Sequence, residues 1–68
     1  MKNRIRELRK ERGMRQEDLA VQLHVTRQTI NAIENNKYNP TLELAMKLAR
    51  LLTTPVEEIF TLESGPEE

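Results

Sequence analysis

The stretch Val25-Thr26-Arg27-Gln28-Thr29-Ile30-Asn31-Ala32-Ile33-Glu34-Asn35 decides the fold of this chain. We predict that it forms a short helix with Thr26 as its N-cap, since a threonine hydroxyl can accept a hydrogen bond from a free amide of the first turn. At about 100° per residue, Thr26, Ile30 and Ile33 fall on one side and should face inward together with Val25. The periodicity therefore predicts a helix with one buried side.

The opposite side of the same helix carries small, uncharged polar residues instead of the Lys and Glu of an ordinary solvated helix. Its members are Gln28, Asn31, Ala32 and Asn35, with Thr29 on the edge. Amides and hydroxyls can pair with nucleobase edges, and the small Ala32 would let the helix lie deep in the major groove of DNA. The pattern therefore favours a DNA-reading side, and the alternative is a surface helix that merely lacks charge.

Length and composition predict one small domain with an aliphatic core. The chain has 68 residues, 37% of them hydrophobic and only 3% aromatic. A core of this size is marginally stable, so we expect self-association. The absence of cysteine excludes disulfides and thiolate metal sites and fits a reducing cytoplasm. No apolar run approaches the roughly 20 residues of a membrane span, and we expect no secretory signal because the N-terminal residues lack its apolar segment.

The net charge is zero, but the charges are unevenly distributed. Residues 1–40 carry nine basic and five acidic side chains, a net charge of +4, whereas residues 41–68 carry two and six, a net charge of −4. A basic half could face DNA phosphates while the acidic half faces away or contacts a partner. Chance unevenness in a short chain is the alternative explanation.

Two helices are expected before the opening stretch. The first covers residues 3–12, with Asn3 as its N-cap and Gly13 as a left-handed stop. The second covers residues 16–23 and carries an apolar face. The turn that follows usually needs a left-handed glycine, and His24 stands there because histidine adopts that conformation more readily than most residues.

Two more helices are expected after it, once Asn36 has ended the third helix in a left-handed conformation. A fourth helix over residues 42–52 has Thr41 as its N-cap. Its apolar residues repeat at helical spacing and should be buried: Leu42, Ala45, Leu48, Ala49 and Leu52.

The stretch Thr54-Pro55-Val56-Glu57 predicts a capping box with proline at the first helical position, which opens a fifth helix through about Phe60. The apolar side of that helix is the candidate dimer contact, formed by Val56, Ile59 and Phe60. We expect the folded domain to cover residues 1–63 and residues 64–68 to form a frayed acidic tail.

The second and third helices share a fixed apolar series across a short turn: Leu19, Ala20, Leu23, Val25, Ile30 and Ile33. Ala20 must be small because the third helix crosses close to it. This series is typical of a helix-turn-helix.

With these elements in place, the sequence resembles the Cro/repressor-type helix-turn-helix proteins, also called the XRE family. The resemblance runs from about Ile5 to Phe60. The segment TRQTINAIENNKYNP (residues 26–40) is similar to the small stand-alone repressors, and TPVEEIF (residues 54–60) matches the usual end of the domain. The resemblance implies an all-α, compact five-helix bundle, a lambda-repressor-like DNA-binding domain whose third helix reads the major groove, typically as a two-fold dimer.

The resemblance also implies roles for single residues. Base contacts fall on Arg27, Gln28, Asn31 and Ala32. Contacts to backbone phosphates fall on Gln16, Thr26, Asn35, Lys37 and Tyr38, and Gln16 would also brace the third helix. A structural salt bridge would join Arg9 to Glu34, although Arg9 could instead be an ordinary solvated basic residue. Two positions depart from the family: His24 replaces the common turn glycine, and Arg15 replaces the usual Ser/Thr cap.

The chemistry of the side chains supports base contacts independently. Arg27 could pair with guanine O6 and N7, and Gln28 with adenine N6 and N7, each worth about 1–3 kcal/mol of discrimination. Thr29 offers a methyl group to thymine. Arg27 lies on the flank of the outward side, so a phosphate contact is equally open to it.

These observations favour a sequence-specific, double-stranded-DNA-binding transcriptional regulator, a dimeric repressor of a palindromic operator. The alternative is a protein-interaction module of the antitoxin or coactivator type, which Leu44, Leu51 and the acidic half could serve. An enzyme is disfavoured, because one histidine and no cysteine or glycine-rich phosphate loop leave no catalytic residues. We expect no cofactor, metal or membrane contact, and no small-molecule effector, since a sensing domain does not fit in this length.

Overall fold

The computed structural model describes residues 1–62. Its elements follow in the order β1 (Lys2–Asn3), α1 (Ile5–Glu11), α2 (Gln16–Leu23), α3 (Arg27–Glu34), α4 (Leu42–Leu52), α5 (Val56–Ile59) and β2 (Phe60–Thr61). The predicted all-α five-helix bundle is confirmed, and a minor two-stranded sheet that was not predicted accompanies it. Within the described residues, no helix is both long and apolar enough to cross a lipid bilayer. The predicted domain end at residue 63 and the tail over residues 64–68 lie outside the described residues.

One aliphatic core joins all five helices. Its buried members are Ile5, Leu8, Leu19, Ala20, Leu23, Ile30, Ile33, Leu48, Leu52 and Ile59. Burying one Leu or Ile side chain stabilises a protein by about 1.5–3 kcal/mol, so these residues supply most of the favourable free energy of folding. Phe60 is only partly buried and packs against the edge of the core.

Helices α2 and α3 form the predicted helix-turn-helix. Ala20 is buried where the two helices meet, and its carbonyl accepts a hydrogen bond from the Val25 amide (3.0 Å). His24 has φ 60° and ψ 40°, the left-handed conformation predicted for this turn. At the start of α2 the Asp18 carboxylate accepts from the Arg15 amide (2.8 Å), which is one half of a capping box, whereas the Arg15 side chain has no acceptor to offer a first-turn amide.

Helix α3 begins and ends as predicted. The Thr26 hydroxyl accepts from the Thr29 amide (3.1 Å), and Asn36 takes a left-handed φ of 60° after the helix. Ile30 and Ile33 are buried, but the expectation that Thr26 faces inward was wrong. Thr26 is exposed because its hydroxyl lies against the free amides of the first turn rather than against the core.

The N-terminus differs from the prediction. Asn3 is not the N-cap of α1; it lies in β1, whose pairing with β2 is antiparallel and joins Lys2 to Thr61 and Asn3 to Phe60. The Asn3 carboxamide oxygen still accepts from the Ile5 amide (3.1 Å), while its nitrogen donates to the Ile33 carbonyl (2.8 Å). Asn3 therefore ties the first segment of the chain to the end of α3.

The fourth helix has its predicted bounds, and the Thr41 hydroxyl accepts from the Leu44 amide (3.2 Å) as expected of an N-cap. Ala45, Leu48 and Leu52 are buried, but the predicted burial of Leu42 was wrong. Leu42 is 73% exposed, because the first residue of α4 extends past the edge of the core.

The predicted capping box at the start of α5 was also wrong. The Thr54 hydroxyl donates back to the Leu52 carbonyl (2.8 Å) and caps no amide of α5, and Pro55 occupies the N-cap position instead of the first helical position. Helix α5 ends at Ile59, one residue earlier than predicted, because Phe60 enters β2. Strand pairing with β1 therefore follows α5 directly.

Candidate nucleic-acid interface

All five predicted base-contacting residues lie on α3, and we call them the reading face: Arg27, Gln28, Thr29, Asn31 and Ala32. Arg27, Gln28 and Asn31 are exposed, whereas Thr29 and Ala32 are half-buried. Within residues 1–62 the side chains of Arg27 and Gln28 make no hydrogen bond to the protein. Their donors and acceptors are therefore available to an external partner.

Thr29 is less available than the sequence suggested. Its hydroxyl lies 3.0 Å from that of Thr26, so the two side chains share a hydrogen bond at the start of α3. Thr29 also borders a surface cleft together with Tyr38. The cleft is thus lined by a candidate base contact and a candidate phosphate contact.

A buried ion pair between α1 and α3, the one that the resemblance implies, lies beside the reading face. Arg9 Nε donates to Glu34 Oε2 (2.7 Å) and Arg9 Nη2 to Glu34 Oε1 (3.1 Å). The Glu34 side chain is fully buried and that of Arg9 is 9% exposed, which rules out a solvated Arg9. Arg9 Nη1 also donates to the Met14 carbonyl (2.9 Å). A two-point pair between arginine and a carboxylate adds geometric specificity as well as energy.

Glu34 stays ionised because its partners outweigh its burial. Desolvation alone would raise the pKa of the Glu34 carboxyl. The hydrogen bonds from Arg9 and Gln16, the charge of Arg9 and a further bond from Arg6 lower it, so that the pKa lies below its ordinary value of 4.5. Within residues 1–62 every buried side-chain nitrogen or oxygen has a hydrogen-bond partner. The polar contact is therefore fully satisfied at neutral pH.

Gln16 connects this buried pair to the reading face. Its Nε2 donates both to Glu34 Oε1 (3.0 Å) and to Asn31 Oδ1 (3.2 Å). The bracing role that the resemblance implies is thus present, and its phosphate contact stays a prediction. A polar cleft beside Gln16 is also lined by the cations Arg15 and Arg27 and by the carboxylate of Glu17.

Asn35 is engaged within the protein. Its Nδ2 donates to the Asn31 carbonyl (2.8 Å) and to Asn31 Oδ1 (3.1 Å), and its Oδ1 accepts from Arg6 Nη2 (3.0 Å). Since both hydrogens of Nδ2 are used, a phosphate contact by Asn35 would cost one of these bonds.

Arg6 contacts two residues of the candidate site, although the sequence analysis gave it no role there. It bonds Asn35 and also donates from Nε to Glu34 Oε1 (3.3 Å), while half of its side chain remains exposed. Arg6 and Arg9 stand three residues apart on one face of α1, and that spacing could have marked both as partners of one acid.

The loop after α3 carries the other two candidate phosphate contacts. The Lys37 amide donates to the Ala32 carbonyl (2.9 Å), which anchors the loop, while the side chains of Lys37 and Tyr38 are exposed. They follow α3 in the chain, and their contact with a DNA backbone stays a prediction.

The candidate dimer contact is reduced by the fold. Ile59 is fully buried in the core and offers no surface to a second copy. Val56 and Phe60 are half-buried, and a dimer contact through them stays a prediction.

Comparison with known proteins identifies the same segment of the chain. A sequence model of the helix-turn-helix family matches residues 5–59, a range that includes all five helices. The chain is 48% identical over 60 residues to a protein named an uncharacterized HTH-type transcriptional regulator from Archaeoglobus fulgidus, covering 88% of this chain and 86% of that one.

Two further relatives carry the same kind of name. A protein from Methanocaldococcus jannaschii is 48% identical over 63 residues, and one from Bacillus subtilis is 44% identical over 63 residues. In both cases the match covers 93% of this chain and 96% of the relative. The similarity is therefore to small proteins of nearly the same length.

Proposed function

The chain belongs to the helix-turn-helix family of transcriptional regulators, of the XRE type, and from that premise we propose that it is a cytoplasmic, dimeric repressor of a palindromic operator. Membership in this family implies regulation through DNA binding. The proposal adds the oligomeric state, the symmetry of the site, the sign of the regulation and the residues that make the contacts.

One observation carries the proposal: the exposed reading face lies on the same helix as a buried ion pair. The side chains of Arg27 and Gln28 have no hydrogen-bond partner within residues 1–62, while Glu34, in the last turn of that helix, is held at two points by Arg9. A helix that reads bases must present unpaired groups in a fixed orientation. Both conditions meet on α3.

Phosphate contacts would position this helix on the duplex. Gln16, Thr26, Lys37 and Tyr38 surround the reading face, and Arg15 and Arg27 add positive charge beside Gln16. Phosphate contacts fix the register of a protein on DNA without reading sequence. Arg27 can serve either purpose, and we assign it to bases because its guanidinium is unpaired at the first turn of α3.

A dimer would double the contact and explain a palindromic site. Two copies related by a two-fold axis would present their α3 helices about 34 Å apart, one turn of B-DNA. Val56 and Phe60 are the half-buried apolar residues proposed for the contact. Binding across a promoter would then exclude the transcription machinery, which is how we propose that the protein represses.

A second candidate is a protein-interaction module of the antitoxin or coactivator type. The observation in its favour is apolar exposure on α4: Leu42 is 73% and Met46 55% exposed, and the two stand one helical turn apart. Leu44 and Leu51, first considered for this role, are partly buried and pack against the core. A partner could bind α4 without covering the reading face.

Selection of binding sites from random duplexes tests the proposed function. We expect enrichment of one motif with two-fold symmetry. Sedimentation equilibrium of the purified protein mixed with that duplex should give the mass of the duplex plus two protein chains. Failure to enrich any motif at low salt would contradict base reading. Enrichment of an asymmetric motif by a monomer would contradict the palindromic dimer.

A further inference from the structure

The carboxamide of Asn31, in the middle of the reading face, is held by two neighbours. Its Oδ1 accepts from Gln16 Nε2 (3.2 Å) and from Asn35 Nδ2 (3.1 Å). Two hydrogen bonds use both lone pairs of a carboxamide oxygen. The side chain nevertheless remains exposed to solvent.

Arg6 and Glu34 determine which amide atom of Asn35 and of Gln16 faces Asn31. Arg6 can only donate, so the Asn35 atom that faces its Nη2 at 3.0 Å must be the oxygen, which leaves Asn35 Nδ2 facing Asn31. For Gln16, the second neighbour, the deciding group is the Glu34 carboxylate.

Glu34 accepts three further bonds from Arg9 and Arg6 and stays ionised, so it can only accept. The Gln16 atom at 3.0 Å from Glu34 Oε1 must therefore be Nε2, which then also donates to Asn31. Both neighbours of Asn31 are donors, and a rotated Asn31 amide would place its own NH₂ group against two other NH₂ groups. The oxygen must face inward.

The outward group of Asn31 is consequently Nδ2. It has no hydrogen-bond partner within residues 1–62 and keeps two hydrogens to donate. An asparagine that pairs with adenine at two points needs one donor for N7 and one acceptor for the N6 amino group. Guanine instead presents two acceptors in the major groove, N7 and O6.

From this geometry we propose that Asn31 acts as a donor-only reader that selects guanine over adenine, with Gln16, Asn35 and Arg6 as the residues that position it. The inference rests on the proposed function, since it assumes that the reading face contacts base edges. It predicts a preference for guanine, whereas an asparagine whose amide is free to rotate pairs with adenine.

The test compares base preference at one operator position. Sites are selected with the wild-type protein, and the position read by Asn31 is identified as the one where Asn31→Ala relaxes the preference. We expect guanine there, bound about five- to 100-fold more tightly than adenine in the same duplex. Replacing that guanine by 7-deazaguanine, which lacks N7, should remove a large part of the advantage.

The double variant Gln16→Ala/Asn35→Ala separates orientation from contact. It frees Asn31 Oδ1, so the ratio of guanine to adenine affinity at this position should fall toward one or invert. Loss of a phosphate contact by Gln16 lowers both affinities alike and cancels in the ratio. Lys37→Ala is the control and should leave the ratio unchanged, and circular dichroism at the assay temperature checks that each variant is folded.

The outcomes distinguish the two proposals. A motif in which the Asn31 position prefers adenine, an unchanged ratio in the folded double variant, or an equal loss on all sequences for Asn31→Ala would overturn the inference and leave the DNA-binding function standing. Failure to select any motif would overturn the proposed function and this inference with it.

Discussion

Two contacts between helices of this domain differ in kind. Between α1 and α3 the contact is polar: Arg9 and Glu34 pair at two points with Glu34 fully buried. At the other end, α4 and α5 meet through Leu48, Leu52 and Ile59, each 0% exposed. Aliphatic packing is favourable in many arrangements, whereas a two-point ion pair is satisfied in only one.

The difference teaches that stability and orientation come from separate places in this domain. A buried ion pair contributes little net free energy compared with apolar residues of the same shape, because desolvating the charges offsets their attraction. Our hypothesis is that the α1–α3 pair serves to set the angle of α3, and that the α4–α5 end supplies stability without orienting the reading face.

The largest expected effect comes from removing one partner of the ion pair. Glu34→Ala should lower the free energy of unfolding by about 3–5 kcal/mol, because it leaves Arg9 buried without a counter-charge. Urea denaturation followed by circular dichroism measures it. Glu43→Ala is the matched control: its 3.2 Å pair with Lys47 is exposed, so the change should be within about 0.5 kcal/mol. Equal effects would contradict the buried pair.

The corresponding change at the aliphatic end is Leu52→Ala, which should cost about 2–5 kcal/mol through lost burial and a cavity. At a temperature where the variant is still folded, its ratio of operator to random-DNA affinity should equal that of the wild type. Leu42→Ala, at an exposed position of the same helix, should change stability by less than about 0.5 kcal/mol. An altered ratio in Leu52→Ala would show that the two regions are not separable.

A pH titration sharpens the comparison, because only the polar contact titrates. The pKa of Glu34 is lower folded than its ordinary value of 4.5, so the unfolded chain takes up this proton first as the pH falls. The stabilisation is complete above about pH 4.5 and is lost as the pH falls from there through the lower folded pKa. Glu34→Gln, which cannot titrate, should be less stable than the wild type at pH 7, with a gap that narrows in acid. A constant gap would contradict the assignment.

The smallest expected effect compares two threonine caps. Thr26→Ala and Thr41→Ala should each lower the free energy of unfolding by about 1 kcal/mol, since each hydroxyl accepts from a first-turn amide. Only Thr26→Ala should also weaken DNA binding, because Thr26 adjoins the reading face and is a proposed phosphate contact. Matching DNA affinities for the two variants would remove Thr26 from the interface.

Local chemistry made much of this fold predictable. The left-handed His24 and the caps Thr26 and Thr41 follow from preferences of single residues and their neighbours, and all three appear as expected. The Thr54 cap failed because the same hydroxyl found a competing partner, the Leu52 carbonyl. Sequence offers no means of choosing between two partners that lie equally near along the chain.

Contacts between segments that are far apart in the sequence could not be derived from local sequence patterns. The two-residue strands β1 and β2 are too short to show a period, and their pairing depends on where α1 and α5 lie. The bond from Arg6 to Asn35 spans α1 and α3 in the same way. Local patterns predicted the candidate site where its residues share one helix. Where its geometry depends on a second helix, the Arg9–Glu34 pair and the Gln16 brace came only from the family resemblance, and Arg6 was missed.

The most direct test of the central claim is the DNA affinity of Gln28→Ala, measured on the selected operator and on random duplex at the same salt concentration. If the outward side of α3 reads bases, operator affinity should fall about five- to 100-fold with little change on random DNA, while Gln22→Ala, at an exposed glutamine of α2, changes neither. Equal losses of Gln28→Ala on both duplexes, or no loss on either, would contradict it.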